Sequence, residues 1–302
     1  MNAHTSHAKG REKLLAHLAM LTFSMLVAGS FSFGGIAART LPAEPLTLLR
    51  YLLTVVVLGG LTFGVLRVPF RLPRQFWRFV ILGGLIALYM VTMFHALGFT
   101  SPVSTGAVFT LMPLISAGFA LPVLGQKTRP DVLAGLVIAA FGALWVIFRG
   151  SLDALFAFGV GRGELIYLVG VIAHALYVPL IRRFARNEHP LAFGFWVTVA
   201  TVFWLLVPGA GPLAATALTE LPPSFWLAVL YLAVVTTAIT FILLQFASMR
   251  LPAAKVLGYN YLTPGFIILI EGVLGHGWAS PTVAAGALIT AGGLVLIALL
   301  PD

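Results

Sequence analysis

Leu111–Gly142, LMPLISAGFALPVLGQKTRPDVLAGLVIAAFG, is echoed 151 residues later by Leu262–Gly293, LTPGFIILIEGVLGHGWASPTVAAGALITAGG. In register, Leu111 falls on Leu262, Pro113 on Pro264, Pro130 on Pro281 and Val132 on Val283. Ala134 and Gly135 fall on Ala285 and Gly286, and Gly142 on Gly293. Val123-Leu124-Gly125 matches Val273-Leu274-Gly275 with a slip of one residue. Matches among Ala, Leu and Gly come cheaply in such a composition, but paired prolines and glycines in register argue for a duplicated unit. Working outward, each unit takes in five apolar runs. Five is odd, so the second copy crosses a membrane in the opposite sense to the first. Inverted repeats that rock about a midplane site are a transporter architecture. Duplication without alternating access, as in a channel, is the plainer alternative.

The rest of the chain requires that membrane. Of 302 residues 60% are hydrophobic and 9% charged, with mean hydropathy +1.03. Soluble domains carry about 25% charged residues, so this chain cannot clothe a water-facing surface. At about 20 residues per span, no length remains for a soluble catalytic domain. Apolar runs between charge and Pro/Gly clusters predict ten helices near 14–36, 46–66, 76–98, 105–124, 131–148, 162–184, 190–208, 224–248, 254–274 and 281–300. Continuous runs exclude the alternating ten-residue segments of a transmembrane barrel. Lys9, Arg11 and Lys13 before a long apolar run imitate a signal peptide, but the run from Leu14 exceeds a leader's apolar core and reads as a first span.

Basic residues then orient the bundle. Lys9, Arg11, Lys13, Arg67, Arg71, Arg74, Arg78, Lys127, Arg129, Arg182, Arg183, Arg186, Arg250 and Lys255 fall on one side, and Arg39, Arg50, Arg149 and Arg162 on the other. That is 14 against 4, which places both termini in the cytoplasm and explains the net charge of +9 without nucleic acid. The layout is a cytoplasmic tail 1–13, a first repeat 14–148, a periplasmic linker 149–161 and a second repeat 162–300. Cysteine is absent, so thiol chemistry is excluded.

Polar side chains inside spans are costly unless they face the bundle interior. Helix 6 places Tyr167, Gly170, His174 and Tyr177 on one face, and helix 3 places Tyr89, Thr92 and His95 within one arc. Helix 9 offers Asn260 and Thr263, and helix 8 offers Thr236, Thr237 and Thr240. Together they predict a neutral, aromatic-rich substrate site between helices 3, 6, 8 and 9. For the threonines the plain alternative is a hydrogen bond to the preceding helical turn. Pro113 and Pro264 predict matched kinks serving as hinges, with ordinary packing kinks as the alternative. Glu271 is the acid expected inside a span, read equally as an interfacial side chain or a gate; Asp302 and the other acids are assigned to the ends. Gly135, Ala139 and Gly142 with Gly286, Thr290 and Gly293 mark helices 5 and 10 as close-packing scaffold or an oligomer contact. No phosphate loop, metal motif or paired carboxylates appears. The Ser/Gly run Gly29–Gly35 has no assigned base, so no catalytic residue, metal or cofactor is expected.

The stretches AARTLPAEPLTLLRYLL, ALGFTSPVSTGAVFTLMPLISA, NYLTPGFIILIEGVLG and AGALITAGGLVLI resemble the EamA repeats of the drug/metabolite transporter superfamily. The resemblance covers nearly the whole chain and implies a ten-helix exporter of amino acids or other small metabolites in the bacterial inner membrane. Many family members carry an acid after the Leu-Gly that ends helices 4 and 9; here Gln126 and His276 stand there. A cation antiporter of the small multidrug-resistance type would hold a carboxylate in the middle of helix 1. That stretch reads Phe23-Ser24-Met25-Leu26. Multidrug or cationic-compound export and a channel remain the alternatives. The expected partners are a small-molecule substrate and the bilayer, with the protein a monomer or weak oligomer. Proton coupling through His174 or His95 stays open, imidazole being the side chain that titrates near neutral pH.

Overall fold

The computed structural model describes residues 10–153, 160–186, 188–248, 250–251, 256 and 258–299. Lys9, Lys255, Asp302, most of the predicted tail and the middle of the predicted linker lie outside the described residues. Among those described, the regular structure is all helical. In chain order the helices are α1 (Gly10–Ala38), α2 (Ala43–Gly59, continuing as a π-helical turn Gly60–Val65) and α3 (Trp77–Leu97). Then come α4 (Pro102–Phe109 and Met112–Leu124), α5 (Pro130–Ile147), α6 (Arg162–Phe184) and α7 (Pro190–Ala214). The chain continues through α8 (Pro223–Leu230, a π-helical stretch Tyr231–Ile239, then Thr240–Ser248). It closes with α9 (Tyr259–Leu262 as a 3₁₀ turn, then Thr263–Val273) and α10 (Pro281–Leu299).

Eight helices, α1 to α8, are long and apolar enough to cross a membrane. The α-helical part of α9 has 11 residues, about 16 Å of rise at 1.5 Å per residue. Its predicted first residues, 254–257, are almost all outside the description. Large apolar side chains face outward along the spans: Val56, Val207, Leu227 and Leu288 are all more than two-thirds exposed. Such a belt is stable only in hydrocarbon.

Local chemistry explains where the helices stop. Gly125 ends α4 at φ 68° and Gly275 follows α9 at φ 79°, the left-handed region open to glycine. These are the two matched Leu-Gly pairs of the sequence echo. Pro130 and Pro281 open the next helices, where a missing N–H costs nothing.

Packing follows small residues. α5 lies against α10, and a Cβ at Gly293 would stand 2.6 Å from the Gly135 carbonyl oxygen. The scaffold reading of these helices is therefore a contact within the chain. α3 packs on α6 and α7, α2 on α7, α4 on α6, and α1 on both α8 and α9. In the Ser/Gly run of α1, Gly29 faces Tyr231 and Gly34 faces Phe94, so the run is a packing surface. The Tyr231 hydroxyl donates to the Leu26 carbonyl at 2.8 Å, and Ser24 Oγ donates to the Tyr259 carbonyl at 2.7 Å, tying α1 to α8 and α9.

Two of the basic residues counted toward orientation are buried inside the bundle. Arg50 sits in the third turn of α2 and Arg78 in the first turn of α3, each only 4% exposed. Taking one from each side leaves the distribution at 13 to 3, so the asymmetry persists.

Candidate functional site

Tyr89 of α3 and Tyr167, His174 and Tyr177 of α6 come together as the helical spacing predicts. Close approach makes this possible, because a side chain at Gly170 would collide with Thr92 Oγ1 and crowd the Tyr89 backbone. The Tyr167 hydroxyl donates to the Tyr89 hydroxyl at 3.1 Å. The Tyr89 ring lies 4.2 Å from His174, which in turn lies 5.7 Å from Tyr177. Phe109 of α4 and Phe31 of α1 complete the stack. His174 Nδ1 is buried with no hydrogen-bond partner. Buried polar atoms are normally satisfied, so this nitrogen marks a place where a donor or acceptor is wanted.

A cavity of about 220 Å³ lies nearby. Arg50, Tyr51 and Thr54 of α2, Met90 of α3, Thr198 of α7, and Thr236, Thr237 and Thr240 of α8 line it. Met90 follows Tyr89 directly, and Tyr89 couples electrostatically to Arg50, so the stack and the cavity adjoin. Thr236 and Thr237 ride on the π-helical stretch of α8, whose wider turn is a common device at functional sites. Their hydroxyls donate to the Leu232 carbonyl, at 2.6 and 3.4 Å, and Thr240 donates to the Thr236 carbonyl at 2.9 Å. Thr92 likewise bonds to Leu88 and Tyr89 carbonyls of its own helix. The plain reading of the threonines is therefore correct for their protons, while their oxygens remain acceptors.

Asn260 and Thr263 do not join this cavity. Both are buried at the start of α9, and Thr263 reaches the position where Gly106 of α4 lets Ile267 in. His95 is nearly half exposed and pairs with Glu44 at 2.8 Å, at the end of the bundle. The cavity is thus built by α1, α2, α3, α7 and α8, and the predicted helices 6 and 9 do not line it. Arg50 was missed although it interrupts an apolar run inside a predicted span. Its position in LTLLRYLLTVVVL was signal enough, since an ionisable residue at membrane depth is a functional candidate by default.

A second, wider space of about 910 Å³ opens where α3 ends and α4 begins, bordered by Arg39, Arg149, Glu271, His276 and Trp278. Glu271 is 8% exposed, so the interfacial, water-reaching reading is replaced by a buried one. His276 Nδ1 meets Glu271 Oε2 at 3.0 Å, and Oε1 has no partner. Glu164, assigned to a span edge, is also buried and accepts from Thr100 Oγ1 at 2.5 Å and Ser104 Oγ at 2.6 Å. It ties the start of α6 to α4.

Pro113 and Pro264 each stand second in a helix that follows a break: Thr110–Leu111 in α4, and the 3₁₀ turn in α9. The backbone stays right-handed helical through Thr110, Leu111 and Leu262, so each proline interrupts the i→i−4 bonding within its helix and leaves the turn before it tightened.

An apolar exterior around buried charged, hydroxyl and aromatic side chains defines a multi-span helical membrane protein, and the family it matches makes it a transporter. The chain belongs to the EamA-like transporter family, whose model matches residues 14–148 and 161–299. Among its relatives is an aromatic amino acid exporter, YddG, of Ancylobacter novellus, 27% identical over 294 residues covering 95% of this chain and 96% of that protein. An uncharacterized transporter, YyaM, of Bacillus subtilis is 26% identical over 210 residues, 68% of each chain. The crystal structure of a protein 23% identical to this one shares its fold over 96% of each chain, with a TM-score of 0.65.

Proposed function

We propose that the protein is a secondary transporter that exports small metabolites, amino acids first among them, across the bacterial inner membrane by alternating access. The observation that carries this reading is the cavity of about 220 Å³ walled by five threonines and adjoining the Tyr89–Tyr167–His174 stack. Drug-sized ligands occupy pockets of roughly 300–1,000 Å³, so this one suits a smaller amphipathic solute with an apolar ring and polar handles. The name of the Ancylobacter relative points the same way.

Ten spans in two inverted repeats, 14–148 and 162–300, account for the packing. Exchanging each helix of one repeat for its counterpart turns the α3–α6 contact into α8–α1 and the α4–α6 contact into α9–α1. The α2–α7 and α5–α10 contacts map onto themselves. Both termini are then cytoplasmic, the 910 Å³ space is periplasmic, and the halves rock about the breaks before Pro113 and Pro264. In this reading Thr237 and Thr240 contact the solute, Tyr89, His174 and Tyr177 form the aromatic stack that the solute meets as the halves move, Asn260 and Thr263 support α9, and Glu271 gates the periplasmic side. A cationic cargo is disfavoured by Arg50, the charged residue that lines the cavity.

Counterflow in proteoliposomes tests the proposal. Vesicles preloaded with unlabelled phenylalanine should take up labelled phenylalanine, and His174→Ala should slow that exchange several-fold. Exchange confined to a lipophilic dication would overturn the amino-acid reading. Flux that never saturates and shows no counterflow would make the protein a channel.

A further inference from the structure

Among the described residues Arg50 is a cation without a counter-ion. Its Nη1 donates to the Met90 sulfur at 3.1 Å and its Nη2 to Thr236 Oγ1 at 3.1 Å, while Nε is buried with no partner. A thioether is a weak acceptor, and a guanidinium has five N–H donors to place. The ion pairs of other arginines, Arg78–Glu188, Arg129–Asp131 and Arg250–Glu12, show where the nearby acids are spent; none of the pairs among the described residues includes Arg50. Glu44, two turns earlier on α2, is engaged by His95. The rings of Tyr51 and Phe94, at 5.7 and 5.8 Å, give partial compensation through their faces. A buried charge is normally paired, and this side chain lines the cavity.

From this we infer that Arg50 is the anchor for a carboxylate on the transported solute. The inference rests on the transport reading above, and deepens it by naming the group that is recognised. A planar guanidinium fork matches a carboxylate in geometry. One negative charge on the solute offsets the guanidinium, so a carboxylate is favoured over its neutral amide, and the second charge of a dianion has no cation to meet in the lining. Thr198, Thr236 and Thr237 give their hydroxyl protons to carbonyls of their own helices, so around the same space they offer acceptor oxygens, which suit the N–H groups of an ammonium, while the lining has no acid to pair with it. The carboxylate is therefore required, and the α-amino group is not.

The test is competition against labelled phenylalanine and, separately, labelled 3-phenylpropanoate, in proteoliposomes and by binding to the purified full-length protein. In the wild type, phenylalanine and 3-phenylpropanoate should bind, while phenylalaninamide and phenethylamine, which lack the carboxylate, should bind at least about 30-fold more weakly, the scale of a lost charge-assisted hydrogen bond. Arg50→Gln should erase that preference, and Arg50→Lys should restore part of it. The wild-type comparison stands even if the Arg50 variants fail to fold. Equal binding of phenylalanine and its amide, or an unchanged preference in Arg50→Gln, overturns the carboxylate anchor while leaving amino-acid export intact. Arg50-dependent exchange of 3-phenylpropanoate with none of phenylalanine supports the anchor and overturns amino acids as the cargo. Binding of none of these carboxylates overturns both.

Discussion

At the scale of single residues, charge placement separates what holds the protein together from what waits for a partner. Arg78 and Arg50 are equally buried, but only Arg78 has its carboxylate. It donates to the Phe184 carbonyl and to Glu188 Oε1, the latter at 2.7 Å, and so clips the start of α3 to the α6–α7 connection. Burial works against the Glu188 carboxylate. The hydrogen bonds from Arg78 and from the Arg186 N–H outweigh that, and hold its pKa below the usual carboxylate range. The sign follows: a folded-state pKa below the unfolded value, about 4.3 for glutamate, gives stability that is present above that pH. It is lost as pH falls through the lower folded-state value. Glu188→Gln should therefore lower thermal stability at pH 7, by about 1 kcal/mol since the carboxylate is partly exposed to solvent. The gap between variant and wild type should close on acidification below about pH 4. Melting curves of the purified protein across pH 3–7 check this, and a gap independent of pH would refute it. None of this was legible beforehand. Charge runs in a sequence show where a residue belongs along the chain, and not which arginine reaches a carboxylate 110 positions away.

At the scale of elements, the reading from sequence was good where periodicity dictates and weak where a helix departs from regularity. The faces of α3 and α6 follow from 3.6-residue spacing, and Tyr89, Tyr167, His174 and Tyr177 do meet. The matched small residues of α5 and α10 do pack against each other. The π-helical stretch Tyr231–Ile239 carries no such signature, because it shifts the register of the side chains after it. It carries Thr236, whose Oγ1 accepts from Arg50 Nη2 at 3.1 Å. The prolines gave the position at which regular bonding is interrupted: the backbone stays helical through Thr110–Leu111 and Leu262, while the turn before each proline is tightened. Such an interrupted turn is the soft point of its helix. Pro113→Ala with Pro264→Ala should let each pair of segments merge, slowing counterflow several-fold with substrate affinity within about twofold. Binding isotherms set beside initial exchange rates separate the two effects. Equal loss of affinity and rate would assign the prolines to the binding site instead.

At the scale of the whole molecule, composition alone required a bilayer and the echo at an offset of 151 suggested the two-fold plan. Packing adds an independent argument, since exchanging the halves converts the α3–α6 contact into α8–α1. Such exchange matters physically because two equivalent halves can swap conformations at nearly equal free energy, the condition for a site reached from each side in turn. The decisive consequence is orientation. The connection after α2, residues 66–76, and the connection after α7, residues 215–222, are counterparts, so inversion puts them on opposite faces of the membrane. The absence of native cysteine makes this directly measurable. Arg74→Cys lies at an exposed loop position and Thr216→Cys at a half-buried one, and each variant would carry one thiol. In intact spheroplasts a membrane-impermeant maleimide should label Thr216→Cys, and should reach Arg74→Cys only after the cells are opened. Labelling of both from the same side would mean that the halves run parallel. Rocking about an in-plane axis would then be impossible, and the substrate path would have to be sought between other helices.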